Sequence, residues 1–482
     1  MSDGAVAAPG LGQLEPRLER LAARGAALRG LLPQALGART GRVALASILA
    51  AVALVVAFAS SGPSILVPRS GAAFPTWEMG PLHALYGHLA LSATTVDLGY
   101  SGLLLAMLLA YAAAVLAARS LSLRSVVVFA VAVNLILLIG PQLQLNDVFN
   151  YLGYARLGGL HGLNPYTHVI NAESFDPVFR FSTWHNLTSP YGPLFTALSY
   201  PLAWLPLPVA YWIIKVAVVA ASLGFLYCVY RCAALLGRDP RPVLLLVAAN
   251  PIYIFYAVGG FHNDFFMLLP STAAIALLLA RRDRCAGAVL MLAVAVKFTA
   301  VLLLPFLLIA ARPTERRLRV ITGAVLAAIP LVAMSLLLFG LSLPNLSQQS
   351  SVITGFSVPN VLGILLGFGG TTEGLVRLLS LGAVVVVLVG LRRRDWVAAA
   401  GWSTLALIAS VTWLMPWYIV WLLPLAALGQ SRRLRAAAVA FTVFLVLTFI
   451  PETSSYLSSH GINTLSSPTD QAAASLQAKL QQ

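Results

Sequence analysis

From about residue 43 to residue 450 the chain is a succession of apolar runs separated by short arginine clusters. Each run is near the roughly 20 residues that an α-helix needs to cross a bilayer. Nothing constrains the fold more, because a soluble core has no place for so many consecutive apolar segments. Hydrophobic residues make up 59% of the chain and charged residues 10%, with a mean hydropathy of +0.86, far from a soluble domain's balance. The pattern predicts an all-α, polytopic membrane protein of about 11 to 13 helices.

The formal charge of +15 does not indicate a nucleic-acid partner. The arginines sit between apolar spans, where positive residues mark cytoplasmic loops. Placing Arg17–Arg42, Arg119/Arg124, Arg231–Arg241, Arg281–Arg284, Arg312–Arg319, Arg392–Arg394 and Arg432–Arg435 inside leaves Arg69, Arg156, Arg180 and Arg377 outside. Spans then fall near 43–60, 97–118, 124–142, 208–231, 243–259, 265–281, 320–340, 372–391, 396–413, 417–430 and 436–450, with every histidine on the extracytoplasmic side.

The run from Cys285 to Ala311 has cytoplasmic clusters at both ends and is too long for one span. It predicts two short helices folded as a hairpin, with Lys297 of AVKFTA at the tip, where a cation must be paired or line a wet cavity. Residues 1–42 read as a cytoplasmic arm, 43–451 as the transmembrane domain and 452–482 as a small, polar tail without chemistry. The three cysteines show no disulfide framework.

Function is then expected in the outer loops. The longest, within 143–206, begins NDVFNYLGYARLGGLHGLNPY. Tyr151 and Tyr154 stand at helical spacing from Asp147, so this stretch predicts a short interfacial helix with Asp147 in its first turn. Asp147 is either a catalytic carboxylate or the cap of that helix, with the tyrosines as an aromatic belt. A second cluster, GGFHNDFF, presents His262, Asn263 and Asp264 after two glycines that permit close approach of a ligand. Asp264 could equally cap the following span. A third, WLMPWYIVWLLPLA, gathers Trp413, Trp417, Tyr418 and Trp421 at an outer boundary.

Four motifs occur in order: D-V-x-x-Y-x-x-x-A-R-x-x-x-x-x-G-x-N-P-Y from Asp147 to Tyr166, S-P-Y-G-P-L from Ser189, NPIYIFYAVGGFHND from Asn250 to Asp264, and A-V-K ending at Lys297. This arrangement resembles the polyprenol-phosphate-mannose-dependent mannosyltransferases, membrane-embedded GT-C glycosyltransferases close to family 87 and to the lipomannan α-1,6-mannosyltransferases.

The resemblance implies a GT-C fold, a polyprenyl-phosphate-linked sugar donor, a glycan or glycolipid acceptor, and inverting transfer on the extracytoplasmic side of the plasma membrane. It needs no cofactor or metal among these residues. It implies a carboxylate base in an early outer loop: Asp147 by its DVxxY context, with Asp97 of TTVDLGY as the second candidate. Arg156, His262, Lys297 and Arg377 become candidates for the donor phosphate, since cationic side chains pair with phosphate oxygens. Tyr151, Tyr154, Asn164, Tyr166, Tyr191, Asn263, Asp264 and Trp417 become candidates for substrate contact. The competing class is a lipid flippase or transporter, which would carry internal repeats and broken helices at the midplane.

Overall fold

In a bilayer each backbone amide and carbonyl must be satisfied within its own segment, so apolar runs of this kind form helices. The structure is a computed structural model, and it describes residues 36–62, 64–67, 74–83, 91–345, 348, 351–367, 379, 382–383, 386 and 395–482. The principal helices are α1 (Ala38–Ala59), α2 (Ala93–Leu116), α3 (Leu123–Ile139), α4 (Asp147–Gly159), α5 (Leu207–Leu235), α6 (Pro240–Ala248) and α7 (Asp264–Leu279). They continue with α8 (Asp283–Val296), α9 (Leu304–Ala310), α10 (Thr314–Phe339), α11 (Trp396–Ser410), α12 (Arg432–Phe449), α13 (Pro451–Ser459) and α14 (Pro468–Gln481). Among the described residues, β structure amounts to one isolated bridge, Ser64 to Val67.

The protein is an all-α, polytopic membrane protein. Helices α1, α2, α5 and α10 are long and apolar enough to cross a membrane, and α12 with α13 forms a pair bent by 62°. Many large apolar side chains of these helices point outward, among them Leu109, Leu326 and Leu337, as lipid-facing residues do. The expected span 372–391 lies outside the described residues apart from 379, 382–383 and 386, and so does Arg377.

Other expected spans are broken, and the breaks position the site. The 243–259 stretch is not one helix: α6 stops at Ala248, Asn250 turns its Oδ1 onto the Ile252 and Tyr253 amides, and a π-helical turn follows over Tyr253–Val258. Asn250 before Pro251 is the cause, since a residue preceding proline is driven from the α region. The 417–430 stretch is a 3-10 turn over Pro416–Trp421 followed by a short helix over Leu423–Leu428. The 285–311 run divides as expected: α8 ends at Val296, Lys297 is extended (φ −154°, ψ 118°), and Phe298–Leu303 continues as a 3-10 turn into α9.

Two glycines let α8 press against α10. A Cβ on Gly287 would stand 2.0 Å from the Val320 carbonyl oxygen, and one on Gly323 would stand 1.9 Å from that of Arg284. Small residues of this kind bring membrane helices together where burial against lipid offers no driving force. Arg316 on α10 clips the same pair, donating to both carboxylate oxygens of Asp283 (2.6 to 3.2 Å) and to the Leu278 carbonyl. The helix that ends at Lys297 is therefore held along its length.

Candidate active site

Helix α4 forms where the spacing predicts, but it is not an interfacial belt. Tyr151 and Tyr154 are buried, and Phe149 stacks between Tyr211 (5.3 Å) and Phe181 (5.0 Å). Its N-cap is Asn146. Asp147, one residue on, directs its carboxylate to another element: Oδ2 lies 3.1 Å from Nδ1 of His262. No other described hydrogen bond engages that carboxylate.

His262 is 1% exposed and lies flat on Trp417, with ring centroids 3.7 Å apart and planes at 13°. Its Nε2 has no hydrogen-bond partner among the described residues. Gly260, two residues earlier, serves this ring rather than a ligand, since a Cβ there would come 2.5 Å from Nε2. Two residues further, Asp264 opens α7 without capping it. Its Oδ1 accepts from Lys297 Nζ at 2.8 Å and from Trp421 Nε1 at 2.6 Å. Lys297 also sits 5.0 Å from the Trp421 ring centre and 5.5 Å from that of Tyr418. The break after α8 delivers it to a carboxylate.

Gly192 of SPYGPL seats the remaining wall beneath that break. Its amide donates to the Val296 carbonyl, and a Cβ there would meet the Ala295 carbonyl oxygen at 2.2 Å. Tyr191 is thereby fixed beside Lys297.

Asp147, Asn263, Asp264, Lys297, Tyr154, Tyr191 and Trp417 line one cavity of about 160 Å³. His262 stands behind Asp147, and Tyr151 behind Asn263, whose amide donates to its hydroxyl. Burial, then the nearby Asp147 carboxylate, pushes the Tyr151 and Tyr191 phenols well above their ordinary pKa, so both are neutral hydroxyls at physiological pH. Among the described residues no three of His, Cys, Asp and Glu gather as a metal site.

The structure separates other candidates from this cavity. Asn164 donates to the Phe339 carbonyl and accepts from the Tyr166 amide. Tyr166 donates to the Tyr191 carbonyl and to Thr196. Both hold the NPY turn in place. Asp97 lies on α2, away from the cavity lining.

Arg156 also stands elsewhere: its Nε donates to both oxygens of Asp176 (2.8 and 2.9 Å), and Nη1 to the Ala203 carbonyl. His161 Nε2 makes a 2.8 Å contact with the same carboxylate. Burial alone would raise the Asp176 pKa, but hydrogen bonds from Arg156, His161 and the Val178 amide outweigh it and hold it below the ordinary carboxylate value. A depressed folded pKa stabilises the fold above the unfolded value, and that stabilisation is lost as pH falls through the folded one. The thermal stability of the wild type should therefore fall at acid pH more than that of Asp176→Asn. At neutral pH Arg156→Ala should cost about 2 kcal/mol, less than a fully buried pair because the cluster is partly solvated, with donor affinity retained.

Some contributors to the site carry weak sequence signals. Trp421 reads as belt aromatic, yet its indole N–H orients Asp264. The tail expected to lack chemistry forms α14, started by a capping box in which Ser467 and Asp470 exchange hydrogen bonds. Gln477 and Gln481 of α14 line the cavity. The S-P-T-D signature of that box was the available clue. Lys215 gives no signal in the sequence: it is fully buried on α5, donates to the Gly140 carbonyl, and lies 3.8 Å from the Trp212 ring centre and 4.8 Å from that of Phe261. It braces the strands of chain leading to Asp147 and His262.

Residues 48–313 match the family model described as alpha-(1->6)-mannopyranosyltransferase, N-terminal domain, and residues 353–466 match the MptB C-terminal domain. The chain belongs to the alpha-(1->6)-mannopyranosyltransferase family. It is 29% identical over 357 residues to alpha-(1->6)-mannopyranosyltransferase A of Mycobacterium tuberculosis, covering 66% of this chain and 68% of that one. It is 30% identical over 179 residues to the Corynebacterium glutamicum protein of the same name, covering 35% of each. No solved structure matches. The protein is thus a membrane mannosyltransferase rather than a flippase.

Proposed function

We propose that the cavity moves mannose from a polyprenyl-phosphate carrier to a mannose-bearing glycan or glycolipid, by inverting transfer, at the extracytoplasmic face of the plasma membrane. The observation that carries this reading is that Asp147 and Lys297, from separate elements, line one cavity. Inverting transfer needs a base at the acceptor hydroxyl and a cation at the departing phosphate, with no covalent intermediate. Asp264 is committed to Lys297 and Trp421, whereas among the described residues Asp147 meets only His262, so Asp147 takes the role of base. The linkage named for the relatives supports an α-1,6 product.

A lipid carrier also has a place to lie. Next to the Lys297 break, an apolar groove of about 330 Å³ runs between α8 and α10, lined by Met291, Phe298, Ala328, Leu331, Leu336 and Pro193. Phe298 adjoins Lys297 and Pro193 is two residues from Tyr191, so a prenyl chain in the groove would carry its phosphate to the cavity.

Purified protein in bilayers should form mannosylated product from polyprenyl phosphate mannose and not from GDP-mannose, with the anomeric configuration opposite to the donor's. Product from the nucleotide sugar alone would overturn the donor assignment. For sidedness, an impermeant thiol reagent should reach Asp147→Cys, in a background lacking the native cysteines, from outside intact cells. Labelling only after the cytoplasmic face is opened would reverse the topology.

A further inference from the structure

One side of the cavity takes no part in the chemistry assigned so far. The segment Trp413–Trp421 places a tryptophan at every fourth residue, and each meets a different group. Trp421 donates to Asp264 beside Lys297, Trp417 carries His262 beside Asp147, and Trp413 packs against Trp184 with centroids 5.1 Å apart. Along this segment the order is cation, base, then a tryptophan pair. In-line displacement requires the same order, with phosphate leaving from one side of the transferred sugar and the acceptor hydroxyl entering from the other, next to the base.

We propose that Trp184, Trp413, Gln477 and Gln481 form the subsite for the acceptor's terminal sugar. The chemistry of this side suits a neutral hexose. Indole faces cover the apolar C–H surface of a pyranose, and carboxamides donate to and accept from hydroxyls without charge. Lys297 and the two carboxylates all stand beside the Trp421 and Trp417 positions.

The subsite is held by the fold rather than left to a loose tail. Asn150 of α4 accepts from the Thr183 and Trp184 amides at 3.0 and 3.2 Å. Helix α14 is tied to the outer loop by Asn186, whose amide donates to the Leu480 carbonyl and whose side chain donates to that of Lys479. Leu480 packs with Leu187 and Val352, and Leu476 and the tryptophan pair pack against that cluster. Gln477 and Gln481, one helical turn apart, therefore share the face turned to the cavity.

The inference rests on the mannosyl-transfer reading, and its test separates the two. The full chain is reconstituted in bilayers, away from sugar-headed detergents, with polyprenyl phosphate mannose as donor and octyl α-1,6-dimannoside as acceptor probe. Gln477→Ala/Gln481→Ala removes two neutral hydrogen-bonding groups from a half-exposed helix face and should raise the acceptor KM about tenfold, with donor KM unchanged. Trp413→Ala should do the same, and Trp413→Phe should recover part of the loss. Titration of the dimannoside against intrinsic tryptophan fluorescence, without donor, should show the same weakening. A rise in donor KM instead would assign these residues to the donor's sugar and overturn the proposal. Acceptor KM and dimannoside affinity unmoved in all three variants would also overturn it. A wild type that forms no product from the lipid donor would sink the transfer reading, whereas normal product with unmoved acceptor constants sinks only the subsite.

Discussion

Asp147→Asn should lower turnover by a factor on the order of 10² or more while the protein folds and binds donor as before. The substitution keeps the volume of the side chain and leaves a carboxamide oxygen for His262 to meet, but it removes the group that takes the acceptor's proton. The partners and positions of the other carboxylates explain why Asp147 takes this role. Asp264 already accepts from Lys297 and Trp421, so its Oδ1 is committed to those two donors rather than to an acceptor hydroxyl. Asp97 lies on α2, outside the cavity lining. Donor titration and single-turnover rates on the same preparation separate binding from chemistry. If Asp147→Asn turned over normally while Asp97→Asn or Asp264→Asn were inactive, the base would be another carboxylate.

Much of this site is legible in the sequence because charge at membrane depth is rare and costly. In a chain that is 10% charged, Asp147, His262, Asp264 and Lys297 stand out against apolar neighbours, and the structure gathers them. Residues whose role depends on a distant partner do not stand out. Arg156 has the same character as a phosphate ligand until Asp176, twenty residues on, is seen to hold it. Lys215 sits in a run that reads as plain span, and its role shows only in the fold, where its amine meets the Gly140 carbonyl and the rings of Trp212, Tyr211 and Phe261. For α14 composition misled, since small polar residues suggest a mobile tail, whereas its cap and a few leucines suffice to dock it on the outer loop. Broken helices were legible only where charge parity demanded one, at Lys297; the breaks at Asn250 and Pro416 follow from local proline chemistry that hydropathy does not register.

Lys297 presents a harder question, because its removal should disturb two things at once. Lys297→Ala leaves Asp264, at 1% side-chain exposure, with a buried negative charge and, among the described residues, only the Trp421 indole as donor. Breaking such a pair on one side costs about 3 to 5 kcal/mol in general, so the single variant should lose stability whether or not the lysine touches substrate. Asp264→Asn in the same chain removes the stranded charge. The double variant Lys297→Ala/Asp264→Asn should therefore regain most of the thermal stability, since a neutral pair replaces an ionic one at similar volume. Donor affinity should not return with it. A charge-assisted hydrogen bond to a phosphate oxygen contributes about 1.5 to 3 kcal/mol, so the double variant should bind polyprenyl phosphate roughly 10- to 150-fold more weakly than wild type. Stability and affinity recovering together would reduce Lys297 to a counter-ion for Asp264. Recovery of stability alone identifies it as the residue that receives the phosphate, with Asp264 and Trp421 fixing its ammonium at the point where α8 breaks.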